Sequence, residues 1–180
     1  EIKPNEVVKS SNPFTITLTD NIPYDQNIEF ELEISANYDR HWKQRFKMPV
    51  SAPYIGTNTP IFHDPAPGGN GNGVLDPGET VTIYLPLKNY GAHDSGDFNI
   101  TVTSPDPRFV INSVGRTNFT KIKSGETSYL TINATASQFL TDTTSLKLDH
   151  KITMDNYVFE NSTLLSVGPI AYVRLGYGDM

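Results

Sequence analysis

The feature that most constrains this chain is an alternation of apolar and polar residues with a period of two. In residues 98–102, for example, Phe, Ile and Val alternate with Asn and Thr. Because successive side chains of a β-strand point to opposite faces, each such run predicts a strand with one buried and one solvated face. The alternation occurs in residues 14–18, 30–34, 81–87, 98–102, 130–134 and 146–152. No window shows the spacing of an amphipathic helix, so the chain is predicted to be all β.

Turn-forming residues lie between these runs. Pro-Gly-Gly occupies 67–69, Pro-Asp-Pro occupies 105–107 and Ser-Gly occupies 124–125, and these residue types favour tight turns. Short strands that are solvated on one side and separated by such turns are typical of antiparallel sheets packed face to face. We therefore expect an immunoglobulin-like antiparallel β-sandwich.

Composition excludes several classes of function. The 180 residues carry 14 Lys and Arg against 20 Asp and Glu, a net charge of −6, which argues against nucleic acid as a partner. The chain has no cysteine, which excludes disulfides, Cys-ligated zinc and a thiol nucleophile. No segment approaches the roughly 18 consecutive apolar residues of a membrane helix, so we expect no membrane span.

A weak internal repeat suggests how the chain is divided. An offset of 116 residues superimposes the first two strand runs on the last two, and this period is close to the size of one immunoglobulin-like domain, about 100 residues. Residues 1–52 are therefore interpreted as the C-terminal strands of a preceding sandwich module, and residues 53–180 as a complete module. In the alternative, a single larger sandwich carries the first strands at its edge. Because the sequence starts at Glu1 rather than Met, we expect it to be a piece of a longer protein.

One segment, residues 63–80, carries a motif that resembles a metal-binding loop. Its sequence is His-Asp-Pro-Ala-Pro-Gly-Gly-Asn-Gly-Asn-Gly-Val-Leu-Asp-Pro-Gly-Glu-Thr. With Glu79 at position 12 of a calcium-binding loop, positions 3, 5, 6, 9 and 12 all have suitable residue types. Position 1 is Gly68 instead of Asp, and the flanks are not helical, so the segment is not an EF-hand. The predicted Ca²⁺ ligands are the side chains of Asp64, Asn70, Asn72, Asp76 and Glu79 and the carbonyl oxygen of Val74.

A purely structural interpretation of the same segment stays open. Asn-Gly-Asn-Gly at 70–73 could be a tight turn that needs positive φ, and Asp-Pro-Gly-Glu at 76–79 could be a second turn before a strand. Ca²⁺ takes roughly six to eight oxygen ligands, and glycines let a chain curl around the ion. We favour calcium, with Asp64 supplying the acid that position 1 lacks.

Exposed aromatic residues raise a different possibility, a carbohydrate-binding or adhesin module. Sandwich modules bind sugars through exposed rings, and the candidates here are Tyr84, Tyr90 and Trp42. Tyr84 lies opposite the core-facing residues of its strand and is the best of the three. Trp42 alternates in phase with Phe46 and Met48, which favours a core position instead.

Patterns typical of catalysis are missing from the sequence. There is no Gly-x-Ser-x-Gly elbow, and the four histidines form no pair at metal-ligand spacing. His150 falls on the apolar face of its strand, which predicts a core residue. We therefore expect this chain not to be an enzyme.

The loop and the strand after it resemble a known family. Residues 69–81, Gly-Asn-Gly-Asn-Gly-Val-Leu-Asp-Pro-Gly-Glu-Thr-Val, are followed by Leu-Lys-Asn-Tyr-Gly at 87–91. This combination is similar to the opening of the immunoglobulin-like, CARDB-like modules repeated in large secreted proteins of Bacteroidetes. Residues 98–107 resemble the next strand of that family and its Ser-x-Asp-Pro turn.

The resemblance implies a role as well as a fold. Such modules lie beside gingipain-type cysteine peptidase domains in proteins exported by type IX secretion, so it implies a non-catalytic accessory or spacer module in a secreted or cell-surface protein. The implied partners are neighbouring domains of the same polypeptide and a cell-surface glycan or protein. Since this chain has no cysteine, any peptidase activity of the parent protein would lie outside it.

Overall fold

The computed structural model describes residues 3–18, 26–141, 143–155 and 157–168. All the regular secondary structure in these ranges is β-strand, so they contain no helix that could cross a membrane. The strands are β1 (Asn27–Ala36), β2 (Arg40–Pro49), β3 (Ile55–Thr57), β4 (Ile61–His63), β5 (Thr80–Asn89), β6 (Phe98–Thr103), β7 (Phe109–Val114), β8 (Asn118–Phe119), β9 (Thr127–Ala136), β10 (Ser145–Met154) and β11 (Tyr157–Ser166).

Strands β3 to β11 form two antiparallel sheets. One has the strand order β11-β10-β6-β8, and the other has the order β3-β5-β9-β7, with β4 also paired to β5. We refer to them as the four-stranded and the five-stranded sheet. A single apolar core contains side chains from both sheets. The predicted all-β sandwich is confirmed.

The core is built by the alternation that the sequence shows. Along β5, β9 and β10 every second residue points inward and is buried, and the residues between them face outward. Burying one Leu or Ile side chain contributes about 1.5–3 kcal/mol, so this shared layer dominates the stability of the sandwich. Its most enclosed side chains are Ile55, Leu75, Ile83, Leu85, Leu87, Ile100, Leu130, Ile132, Leu146, Leu148, Ile152 and Met154.

Strands β1 and β2 form a separate two-stranded hairpin. Phe30 pairs with Phe46, their rings stacked with centroids 5.1 Å apart, and Ile34 pairs with Trp42. The opposite face of the hairpin is charged and carries cross-strand ion pairs between Glu and Lys or Arg. The alternation of Trp42 with Phe46 and Met48 favours a core position, but Trp42 is 50% exposed. The expected core position is therefore wrong.

The strand predicted at residues 14–18 is absent. The segment has no strand pairing, and Phe14 is largely exposed. Alternation alone does not make a strand, because its backbone groups also need a neighbouring strand edge with which to form hydrogen bonds. The predicted division of the chain at residue 52 stays a prediction.

His150 lies on the inward face of β10, as predicted, and its side chain is buried. Its Nε2 is 3.3 Å from the Thr57 hydroxyl oxygen, which is 3.3 Å from the Thr163 hydroxyl oxygen. The Nδ1 atom has no hydrogen-bond partner among the described residues. Burial lowers the pKa of His150, because a low-dielectric interior disfavours the imidazolium form.

We expect the sandwich to lose stability as the pH falls below about 6.5. In that range the unfolded chain takes up a proton more readily than buried His150 does, so the free energy of unfolding should decrease as the pH falls towards 5.5. Urea unfolding at pH 7.5 and pH 5.5 measures it. His150→Leu should remove most of the difference, whereas His93→Leu, at an exposed histidine, should keep it. Equal pH dependence in all three proteins would exclude His150 as its source.

Candidate functional site

The predicted calcium ligands all lie in the segment that joins β4 to β5. Gly71 and Gly73 have φ angles of 79° and 74°, a conformation that glycine adopts without strain. A Cβ on Gly69 would lie 2.3 Å from the backbone carbonyl oxygen of Asp64, so only glycine fits there. The segment therefore curls tightly around Asp64, and we call residues 63–79 the acidic loop.

Asp64 is the structural centre of the acidic loop. Its side chain is almost enclosed, with the residue only 2% exposed. One carboxylate oxygen accepts hydrogen bonds from the backbone N–H groups of Gly71 and Asn72, both at 3.1 Å, and the other accepts one from Gly73 at 3.0 Å. Hydrogen bonds to a charged acceptor are stronger than neutral ones, so this one side chain holds the glycine-rich turn.

Glu79 closes the other end of the acidic loop and is 7% exposed. Its two carboxylate oxygens accept from the backbone N–H groups of Asn70 and Asp76, each at 3.0 Å. The Asp76 carboxylate accepts from the side-chain amides of Asn70 and Asn72, both at 2.7 Å. These contacts bring the five predicted side-chain ligands into one connected network.

The amide oxygens of the two asparagines face their own loop. Asn70 Oδ1 accepts from the backbone N–H of Asn72 at 3.0 Å, and Asn72 Oδ1 accepts from that of Val74 at 2.7 Å. Each asparagine therefore closes a local side-chain-to-backbone turn over the two residues that follow it. The backbone carbonyl of Val74, the sixth predicted ligand, follows in the same turn.

The residue after Val74 anchors the acidic loop to the sandwich. Leu75 is fully buried and forms a parallel bridge with Val167, just after β11. The Gly168 N–H also donates to the Leu75 carbonyl oxygen at 2.9 Å. Order in the acidic loop is therefore linked to the end of the sandwich where β11 terminates.

The acidic loop carries three carboxylates and no Lys or Arg. Asp64, Asp76 and Glu79 form no ion pair with any described residue. Two of the three are almost fully buried. Buried charge of one sign is costly unless hydrogen bonds or an ion compensate it.

The chemistry of this donor set fits Ca²⁺, which takes oxygen ligands from carboxylates, amides and carbonyl groups together. The described part of the chain holds no group of three His, Asp or Glu side chains arranged as a metal site on their own. Asn70, Asn72 and the Val74 carbonyl would therefore have to contribute. Nitrogen and sulfur ligands, which transition metals prefer, are absent from the predicted set.

The three aromatic candidates lie in different surroundings. Tyr84 is on the outward face of β5, as predicted, and is half-buried. Tyr90 follows β5 and packs on Gly56, where a Cβ would lie 3.1 Å from its ring. Trp42 belongs to the β1–β2 hairpin, which pairs with no strand of either sheet of the sandwich.

A fourth aromatic residue, Tyr129, joins Tyr84 and Tyr90 on the five-stranded sheet. It is 53% exposed on the outward face of β9, where it pairs with Pro86 of β5. Tyr129 is not among the aromatic candidates selected from the sequence. Its position next to inward-facing Leu130 does indicate that its ring faces outward. What the sequence could not show is that β9 lies beside β5.

Comparisons with known proteins do not identify a family for this chain. No protein-family model and no curated protein matches this chain. Among solved structures, one similar chain is a FixG-related protein from Vibrio parahaemolyticus, with 13% identity and a TM-score of 0.35 over 63% of this chain and 95% of that one. A similarity of this size does not bear on function.

Proposed function

We propose that this chain is a non-catalytic accessory or spacer module of a secreted or cell-surface multidomain protein, and that its acidic loop binds Ca²⁺. The observation that supports this proposal is the set of three carboxylates, two of them buried, in a loop without a basic residue. Asp64, Asp76, Glu79, Asn70, Asn72 and the Val74 carbonyl would hold the ion.

The ion would have a mechanical role. It would neutralise part of the negative charge of the acidic loop and rigidify the segment that leads into β5. Because Leu75 links this segment to the chain after β11, the same ordering would strengthen one end of the sandwich. A rigid end suits a module that holds neighbouring domains of its polypeptide apart, including the gingipain-type peptidase domain that the family resemblance implies.

We expect millimolar Ca²⁺ to raise the melting temperature by roughly 5–10 °C over the value in EGTA. A ligand at about 100 times its Kd stabilises the folded state by about 2.7 kcal/mol, and each kcal/mol corresponds to about 2–4 °C for a domain of this size. Differential scanning calorimetry measures the shift. Mg²⁺ at the same concentration should produce a smaller one, since it requires a tighter octahedral site.

Two variants that remove the same charge separate specific binding from a general effect of salt. Asp76→Asn replaces one proposed carboxylate ligand with a neutral amide and should reduce the Ca²⁺-induced shift by more than half. Asp97→Asn removes an equal charge at an exposed position outside the acidic loop and should leave the shift unchanged. A wild-type melting temperature that is the same in Ca²⁺ and in EGTA would contradict the proposal.

A further inference from the structure

The outward face of the five-stranded sheet carries three tyrosines on adjacent strands. Tyr84 on β5, Tyr129 on β9 and Tyr90, which follows β5, all lie on this face, which we call the tyrosine face. Tyr129 is 53% exposed, Tyr90 is 39% exposed and Tyr84 is half-buried.

Strand register places two of these rings next to each other. Tyr84 pairs with Thr131 and Pro86 with Tyr129, so Tyr84 and Tyr129 are diagonal neighbours across β5 and β9. Diagonal neighbours in an antiparallel pair lie roughly 7–8 Å apart, within reach of aromatic side chains, so the two rings occupy adjoining parts of the same face. Tyr90 lies two residues after Lys88 in the sequence, and the Lys88 ammonium is 5.1 Å from the centre of the Tyr90 ring.

Hydroxyl and amide groups flank the rings. Thr82 donates to the side-chain oxygen of Asn133 at 2.8 Å, and Asn133 donates to the Ser113 hydroxyl at 3.0 Å. Further along, the Thr80 and Thr135 hydroxyl oxygens are 2.9 Å apart. This network holds polar side chains at fixed positions on the tyrosine face.

The tyrosine face is almost free of charge. The outward residues of β9 are Thr, Tyr and Asn, and on β5 the one charged outward residue is Lys88 at its end. In contrast, the outward face of the four-stranded sheet carries Lys147, Asp149, Lys151 and Glu160 in ion pairs. A protein of net charge −6 thus keeps one sheet face neutral, aromatic and rich in hydroxyl groups.

We infer that the tyrosine face binds a neutral polysaccharide. The C–H faces of sugar rings stack on aromatic rings, and sugar hydroxyls exchange hydrogen bonds with hydroxyl and amide side chains. An uncharged polysaccharide loses no ionic hydration when it binds such a surface. An acidic polysaccharide would lose it, and Lys88 would be the one outward cation on β5 and β9 to compensate for that loss. The inference concerns a different surface from the acidic loop and does not depend on Ca²⁺.

Affinity electrophoresis of the whole chain tests this inference. Native gels containing laminarin, hydroxyethyl cellulose or yeast mannan should retard the wild-type protein in at least one case, and a gel containing polygalacturonate should not. With the polysaccharide that retards it, Tyr84→Ala and Tyr129→Ala should each weaken binding roughly 3- to 10-fold, and the double variant should migrate as in a plain gel.

Control variants keep the result interpretable. Leu164→Ala removes an exposed apolar side chain from the four-stranded sheet and should bind like wild type. Tyr84→Phe and Tyr129→Phe keep the rings and should retain most of the binding, which gives a readout even if an alanine variant folds poorly.

Three outcomes would overturn the inference. The first is a wild-type protein that no neutral polysaccharide retards, and the second is retardation that the double alanine variant keeps. The third is concentration-dependent self-association that the double variant abolishes without any retardation by polysaccharide, which would assign the tyrosine face to a second copy of the chain.

Discussion

Replacing Asn89 with alanine should lower the free energy of unfolding by about 3–5 kcal/mol. Asn89 ends β5 and is fully buried. Its side-chain oxygen accepts from the N–H groups of Tyr54 at 3.2 Å and Gly91 at 3.0 Å, and its amide donates to the carbonyls of His93 at 2.8 Å and Ile122 at 3.0 Å. Alanine would leave four backbone groups without this partner at once.

Urea unfolding followed by far-ultraviolet circular dichroism measures this loss. Asn112→Ala is the matched control, because Asn112 is exposed and its side chain donates a single hydrogen bond to the Thr135 hydroxyl. We expect the control to cost no more than about 0.5–1 kcal/mol. Similar losses in the two variants would show that the buried contacts of Asn89 are not a major source of stability.

These contacts also give a physical reason for the Leu-x-Asn-x-Gly pattern at 87–91. Leu87 is a core residue, Asn89 joins three segments of backbone, and Gly91 passes against the chain that enters β3. A Cβ on Gly91 would lie 2.3 Å from the Ala52 carbonyl oxygen and 2.5 Å from the Tyr54 nitrogen. Each defined position of the pattern therefore has its own steric or hydrogen-bonding requirement.

Replacing Asp64 with alanine should lower the free energy of unfolding by about 3–5 kcal/mol even in EGTA. The change leaves the N–H groups of Gly71, Asn72 and Gly73 without their carboxylate acceptor. The glycine-rich turn should then open, and the variant should also lose the Ca²⁺-induced rise in melting temperature.

Limited proteolysis and calorimetry, each with and without Ca²⁺, separate the two roles of Asp64. Cleavage within residues 63–79 should become faster in Asp64→Ala but not in Asp97→Ala, which removes an exposed carboxylate elsewhere. A variant as stable as wild type in EGTA would contradict the structural role. A variant that keeps the full response to Ca²⁺ would contradict the role of Asp64 as a ligand.

The strand predictions that the structure confirms depend on the local alternation of apolar and polar residues. Residues 81–87, 98–102, 130–134 and 146–152 alternate strictly, and all four are strands whose apolar sides are largely buried in the core. Residues 14–18 alternate just as strictly but form no strand. The difference lies in hydrogen-bonding partners from distant parts of the chain, which period-two patterning does not reveal.

The acidic loop was predictable for a related reason. Its six proposed ligands lie within residues 64–79, so the spacing of residue types along the chain carries most of the information. The central position of Asp64 was less accessible to sequence reasoning, because its carboxylate reaches N–H groups seven to nine residues away. Only a folded loop shows that these groups converge.

By itself, the sequence determined that this protein is all β, which side of each confirmed strand is apolar, and that acidic and amide side chains are concentrated before β5. The tertiary structure decided which strands are neighbours. It thereby placed Tyr129 beside Tyr84 and buried Asn89 among three backbone segments. The physical reason is that side-chain alternation is a property of one strand, whereas strand pairing depends on contacts between residues far apart in the chain.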